Sequence, residues 1–216
     1  YIMGLSIGIH LLNLLTIPAI AFVYYFKKTE KPTTAGMIKT GIIGILILAV
    51  IQYGIIQYLV SFGAYFDLFF VNTLGMGFGS GVIVFAILVI TGLVYGIRYS
   101  IKHQKRVLNL ALLSTVLIIF GYCSFAMIII RAKADPNLNN SDPDNAFSFL
   151  SYLNREQYGD RPLLFGPNYN SQKVNLTQGK TLYRKGDDKY EVAGKKTDNE
   201  YDKTTPFPRM YSDDGR

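Results

Sequence analysis

The sequence predicts an all-α membrane bundle of four transmembrane helices, followed by a small α+β tail outside the cytoplasm. Four apolar runs support this prediction: residues 5–26, 40–60, 82–97 and 107–130. None of them contains Asp, Glu, Lys or Arg, and a charge at mid-helix costs about 2.5–3.5 kcal/mol on insertion. No comparable run follows. We therefore place a transmembrane domain at 1–130 and a soluble tail at 131–216.

The lengths of the runs fit a lipid bilayer. A helix needs roughly 20 apolar residues to cross the hydrocarbon core, and three runs reach that length directly. The third run reaches it when Gly79 and Gly81 extend it at its start. The predicted helices therefore cover about 5–26, 40–60, 80–97 and 107–130.

The charges between the runs predict the orientation. Loops 27–39 and 98–106 are rich in Lys and Arg, whereas loop 61–81 carries only Asp67. Short basic loops stay in the cytoplasm, which places loop 61–81 and the tail on the opposite side. We expect a multi-pass protein of the bacterial inner membrane with a periplasmic tail, or a lumenal tail in a eukaryote.

The composition argues against several classes of protein. Of the 22 Lys and Arg residues, 14 lie in the tail, where 13 acidic residues nearly cancel them. The positive excess therefore flanks the membrane, and we expect no nucleic-acid binding. The single Cys123 excludes a disulfide framework within the chain and a CxxC metal site, and we expect neither a metal nor a cofactor. The chain opens at Tyr1 without a typical signal peptide, so we expect an internal fragment of a longer protein.

The first predicted helix carries polar residues at membrane depth. His10 and Asn13 are three residues apart and therefore share one face. They either hydrogen bond to a neighbouring helix or line a site that opens to the outer side. Pro18 predicts a kink. The pairs Gly4/Gly8 and Gly92/Gly96 each form a GxxxG motif, which permits close packing against another helix.

Two features concern the second helix and the loop after it. Gln52 and Gln57 are predicted to hydrogen bond between helices. Residues 62–71 are aromatic and amphipathic, which predicts a helix lying in the outer interface.

The sequence of the tail predicts one helix and one hairpin. Asp142 as N-cap, a proline directly after it and Gly159 beyond the end predict a helix over about 143–158. Alternating residues around a Gly/Asp turn predict a β-hairpin over about 180–193, and the polar stretch 194–205 predicts a loop. Because the tail has few large aliphatic residues, we expect it to pack on the outer mouth of the bundle.

Three separated segments resemble a known family. They are GLSIGIHLLNLL (residues 4–15), SYLNREQYGDRPLLFG (residues 151–166) and FPRMYS (residues 207–212). In this order they resemble the bacterial protein O-mannosyltransferase-like membrane proteins, formerly a family of unknown function. The resemblance implies a GT-C glycosyltransferase that takes a sugar, mannose in this family's chemistry, from a polyprenyl-phosphate donor. It also implies a protein acceptor on the non-cytoplasmic face and contact with membrane lipid.

The resemblance implies substrate-binding residues but no catalytic one. GT-C enzymes usually carry the catalytic carboxylate in the first outer loop, and the context of Asp67 does not fit that motif. The catalytic residue is therefore unknown, and this segment alone is expected to be inactive. The candidate substrate-binding residues are Arg155, Glu156, Tyr158, Asp160 and Arg161 in the tail, and His10 and Asn13 in the first helix.

Each candidate has a structural alternative. The arginines either bind the phosphate of a lipid-linked sugar through charge-assisted hydrogen bonds or pair with Glu156 and Asp160 at the end of the tail helix. Tyr158 either stacks on a sugar or packs. For the whole chain, the alternatives are a non-catalytic membrane anchor or assembly module, and part of a transporter or flippase, for which charged or broken helices are expected.

Overall fold

The computed structural model describes residues 1–139, 141–156 and 164–208. Within these residues, three helices have the length and hydropathy to cross a membrane: Thr34–Asn72, Ser80–Lys102 and Arg106–Lys133. They indicate an integral membrane protein. The mostly helical class with a small strand region is confirmed, whereas the count of four spans is not.

The first predicted helix is broken. It consists of α1 (Ile2–Ile9), a 3-10 turn (Leu11–Leu15) and α2 (Thr16–Lys28). His10 is extended, with φ −154° and ψ 123°, and its Nδ1 accepts a hydrogen bond from the Leu12 N–H at 3.2 Å. The Asn13 side-chain amide donates to the Ser6 carbonyl at 3.0 Å. Such side-chain bonds compete with those of a helix backbone, which is why the apolar length of this run overestimated its helix.

Pro18 lies in the first turn of α2, just after the 3-10 turn Leu11–Leu15. A proline is tolerated in the first turn of a helix. The break in this run lies at His10, and the kink at Pro18 stays a prediction.

The second predicted helix is much longer than expected. It contains α3 (Thr34–Ala49), a π-helical segment (Val50–Tyr58) and α4 (Leu59–Asn72). These 39 residues span about 58 Å at 1.5 Å per residue, well beyond the hydrocarbon core. Residues 62–71 are helical, as predicted, but they continue this helix rather than forming a separate one. No proline interrupts residues 58–72, so nothing in the sequence ends the helix there.

The remaining membrane helices form an antiparallel pair. It consists of α5 (Ser80–Lys102) and α6 (Arg106–Tyr122), and a 3-10 turn (Cys123–Ala126) leads on to α7 (Met127–Lys133). Asn109 donates its side-chain amide to Ser100 Oγ at 2.9 Å, which ties the two helices together near their turn. Helices α5 and α6 extend beyond their apolar runs and include the flanking basic residues, because Lys and Arg are good helix formers.

Glycines let α1 and α6 approach closely. A Cβ on Gly4 would collide with the Ile118 carbonyl, and one on Gly121 would lie 2.7 Å from the Leu5 nitrogen. The close packing that the Gly4/Gly8 pair permits is therefore confirmed, whereas a Cβ on Gly92 of the second pair would meet nothing within 4 Å. Next to this contact lies the main apolar core, which contains Ile7, Leu14, Ile17, Ile51, Ile55, Ile56 and Tyr122.

The tail helix α8 is shorter than predicted and spans Ala146–Leu153. Its N-cap is Asn145, whose Oδ1 accepts hydrogen bonds from the Phe147 and Ser148 N–H groups. Ser148 Oγ accepts from the Asn145 N–H at 3.2 Å, which completes a capping box. Asp142, the predicted cap, lies outside the helix with φ 35°.

The strands in the described part of the tail form two small antiparallel sheets. The hairpin consists of β2 (Lys173–Lys185) and β3 (Tyr190–Tyr201), and β1 (Phe165–Pro167) pairs with β4 (Thr204–Pro206). The Gly186 N–H donates to the Lys189 carbonyl at 2.9 Å at the predicted turn. Because β3 and β4 cover most of residues 194–205, this stretch is strand rather than the predicted loop. Both faces of this part of the hairpin are largely exposed, so no apolar alternation marked it.

A buried carboxylate attaches the tail to the bundle. Asp67, only 1% exposed, accepts hydrogen bonds from the Gly79 N–H at 3.0 Å, the Gly81 N–H at 2.9 Å and the Tyr190 hydroxyl at 2.7 Å. We call this group the Asp67 anchor. Burial and the bond to Asp67 raise the pKa of the Tyr190 phenol far above its ordinary value, so the phenol remains a donor.

A second side chain on the same helix reinforces the anchor. Asn72 accepts a bond from the Tyr190 N–H at 2.9 Å and donates to the Tyr190 carbonyl at 2.7 Å. The tail therefore packs on the bundle end formed by α4 and the start of α5. Residues 61–81 and the hairpin of the tail therefore lie at the same end of the bundle. This agrees with the charge pattern, which placed loop 61–81 and the tail on one side of the membrane.

Candidate functional site

A cavity of about 420 Å³ lies between the break after α1, the π-helical segment, the end of α6 and α8. Its polar lining residues are His10, Gln52, Gln57, Tyr122, Tyr152 and Arg155. The rest of the described lining is apolar or glycine. Small-molecule sites commonly combine this size with a few polar groups on an apolar wall. We call it the bundle cavity.

The bundle cavity brings together two of the predicted site residues, His10 and Arg155. His10 reaches it because the chain is extended between α1 and the 3-10 turn. Arg155 follows the end of α8 with φ 54°, a region that non-glycine residues rarely adopt. Such sparsely populated backbone conformations cluster at functional sites, and Arg155 has one, whereas His10 has ordinary extended backbone.

Asn13 stabilises the break rather than facing the cavity. Its side chain donates to the Ser6 carbonyl, and its backbone carbonyl accepts from Thr16 Oγ1 at 2.6 Å. It does not belong to the described lining of the bundle cavity.

Glu156 lies in a neighbouring groove, where its Oε2 accepts a hydrogen bond from Ser151 Oγ at 2.8 Å. The other three tail candidates, Tyr158, Asp160 and Arg161, lie outside the described residues.

The π-helical segment places two glutamines on the cavity wall. Its hydrogen bonds join residues five apart, so side chains at i and i+5 lie near one face. In an α-helix, five residues would separate them by about 140°. Gln52 and Gln57 have this spacing, and both line the bundle cavity. The sequence predicted helix-to-helix bonds for them, because nothing in it marks a π-helix.

Tyr122 is a cavity residue that the sequence did not single out. It is 7% exposed, and its hydroxyl has no hydrogen-bond partner among the described residues. Its ring stacks on Phe125, with centroids 5.5 Å apart. Buried tyrosine hydroxyls usually have a partner. Its only sequence signal was a phenol inside an apolar run.

The neighbouring tail groove, of about 970 Å³, lies between the long helix, α8 and the hairpin. Gln57 lines both cavities, so they adjoin at this side chain. In the groove, Lys185 Nζ donates to Asp144 Oδ2 at 3.2 Å. Burial opposes ionisation of Asp144, but hydrogen bonds from Asn145 and Lys185 and the Lys185 charge outweigh it and lower the pKa of the carboxyl.

The polar side chains of the bundle cavity are of types that suit the binding of a polar ligand. A guanidinium such as that of Arg155 binds phosphate oxygens through two parallel hydrogen bonds, whereas amides and phenols suit hydroxyl groups. No Asp or Glu belongs to the described lining, and Asp67 is held in its anchor away from both cavities. In the described ranges, no three His, Cys, Asp or Glu side chains form a potential metal site.

Comparisons with known proteins match the two ends of the chain. Residues 1–33 match the family described as the protein O-mannosyl-transferase TMEM260 N-terminal domain. Residues 159–216 match a family of unknown function, DUF8416. No curated protein and no solved structure matches the chain.

The first match covers α1, the break at His10 and α2. It agrees with the family that the sequence resembles, over that part of the chain. Together with the apolar helices, the similarity fits part of a membrane glycosyltransferase.

Proposed function

We propose that the chain is part of a GT-C glycosyltransferase. This enzyme transfers mannose from a polyprenyl-phosphate donor to a protein acceptor. The observation that carries the proposal is the bundle cavity, which both His10 and Arg155 line. The similarity of residues 1–33 to an O-mannosyl-transferase domain supports the reaction class.

The cavity suits the polar head of a lipid. It lies within a bundle whose outer surfaces are rich in exposed Ile, Leu, Val and Phe side chains, which fit a bilayer. Arg155 would neutralise the donor phosphate, because a guanidinium forms strong paired bonds to phosphate oxygens. His10 would add a hydrogen bond from the opposite end of the chain. The catalytic carboxylate would come from outside the bundle cavity.

The proposed orientation follows from charge. Loops 27–39 and 98–106 would face the cytoplasm, and the tail would face the periplasm or lumen. The tail groove, which adjoins the bundle cavity at Gln57, would then admit the acceptor protein from the outer side.

Replacing Arg155 with alanine in the complete protein tests the proposal. A hydrogen bond to a charged group contributes about 1.5–3 kcal/mol, so transfer of labelled mannose from polyprenyl-phosphate mannose should fall by about ten- to a hundredfold. Arg155→Lys should be intermediate, because lysine keeps the charge but loses the paired geometry.

Arg131→Ala is the matched control, since Arg131 is a basic residue near the end of α7 and outside the described lining of both cavities. Normal transfer by Arg155→Ala, at equal expression, would remove Arg155 from the donor site.

A further inference from the structure

The neutral part of the bundle cavity points to a more specific role, which rests on the proposed function. We propose that Tyr122, Gln52 and Gln57 bind the sugar of the lipid-linked donor, while Arg155 binds its phosphate. The cavity would thus distinguish a sugar-bearing lipid from the same lipid phosphate without a sugar.

The hydroxyl of Tyr122 is the first support. It is buried and without a partner in the part of the chain that the structure describes. Leaving such a group unpaired is unfavourable, and the side chain lines the cavity. The oxygen has almost no accessible surface in this structure, so a sugar hydroxyl that accepts its hydrogen bond would shift a neighbouring wall residue and complete the bonding of the phenol.

The π-helical segment is the second support. Continuing the α-helix through residues 50–58 would place Gln52 and Gln57 on different faces, and the π winding brings both to the cavity wall. A carboxamide carries both donors and an acceptor, as a sugar hydroxyl does. π-Helical turns are rare in proteins, and those that occur often lie at functional sites.

The distribution of charge is the third support. Among the described lining residues, Arg155 is the only permanently charged one. The donor phosphate should therefore bind at the end of the cavity where Arg155 lies. The uncharged Tyr122 and the two glutamines suit the uncharged sugar. Separate partners for the two parts of the donor follow from this arrangement.

Binding of two lipids to the complete protein tests the inference: polyprenyl-phosphate mannose, and polyprenyl phosphate without sugar. Tyr122→Phe should weaken binding of the first about five- to tenfold, the effect of one lost neutral hydrogen bond, and leave binding of the second unchanged. Its thermal stability should be equal or higher, because an unpaired hydroxyl is removed. Tyr95→Phe on α5, where the side chain is 72% exposed, is the matched control and should change neither affinity.

Other outcomes overturn the inference. Unchanged affinity for the mannose lipid in Tyr122→Phe and in Gln57→Leu would remove these residues from the sugar site. An equal loss for both lipids would show that they do not read the sugar. If the unchanged protein bound only the bare lipid phosphate, the sugar assignment would fail while the phosphate site remained. If it bound neither lipid, the proposed function itself would fail.

Discussion

Replacing Asp67 with alanine should release the tail from the bundle and lower the free energy of unfolding by about 3–9 kcal/mol. The carboxylate accepts three buried hydrogen bonds, from Gly79, Gly81 and Tyr190. Alanine leaves all three donors without an acceptor, and each such donor costs about 1–3 kcal/mol. Thermal melting of the detergent-solubilised protein and proteolysis of the tail would measure both effects.

Two variants make the test specific. Tyr190→Phe removes one of the three bonds and should cost about 1 kcal/mol. Asp187→Ala removes an exposed acid in the hairpin turn, with the same change of charge, and should be neutral. Equal melting temperatures for Asp67→Ala and Asp187→Ala would show that the anchor does not hold the tail.

Replacing Gly4 with valine should move α1 away from α6 and weaken donor binding. The added carbons would meet the Ile118 carbonyl and the Gly121 backbone, and backbone atoms cannot rotate away as a side chain can. Overpacking of this kind costs about 1–3 kcal/mol or more. Because α1 leads directly to His10, the shift should also displace one wall of the bundle cavity.

Gly92→Val is the matched control, because a Cβ on Gly92 meets nothing within 4 Å. Thermal melting and binding of polyprenyl-phosphate mannose should distinguish the two variants. Identical behaviour would contradict the close contact of α1 with α6.

The membrane character of the chain was predictable because apolar length is a local property. The runs 82–97 and 107–130 correspond to α5 and to the helical stretch from α6 to α7. The run 5–26 misled the prediction, since His10 and Asn13 form local hydrogen bonds that break the helix. Its apolar content gave no sign of them.

In the tail, too, some elements could be predicted from the sequence and others could not. The hairpin turn was marked by its Gly and Asp residues, but the outer half of the hairpin is exposed on both faces and carries no alternation. The cap of α8 moved to Asn145 because Ser148 completes a reciprocal pair of bonds with it. Asp142 has no such partner three residues on, since that position is itself Asn145.

The site depended on tertiary structure. His10 and Arg155 were chosen separately from the sequence, and only the fold places them on one cavity. Tyr122 resembled any aromatic residue in an apolar run, because its lack of a hydrogen-bond partner is visible only in three dimensions. The shared face of Gln52 and Gln57 required a π-helical segment, for which a pattern of period 3.6 gives no signal.

The central claim is that the bundle cavity holds the head of a lipid-linked sugar. A photoreactive analogue of polyprenyl-phosphate mannose, with its reactive group on the sugar, tests this claim when it is cross-linked to the complete protein in membranes. Mass spectrometry should find the modified peptides at residues 7–11, 52–57, 122–128 or 152–155, and an excess of unmodified donor should suppress them. Cross-links confined to the loops 27–39 and 98–106, or to the exposed faces of α5 and α6, would contradict the account.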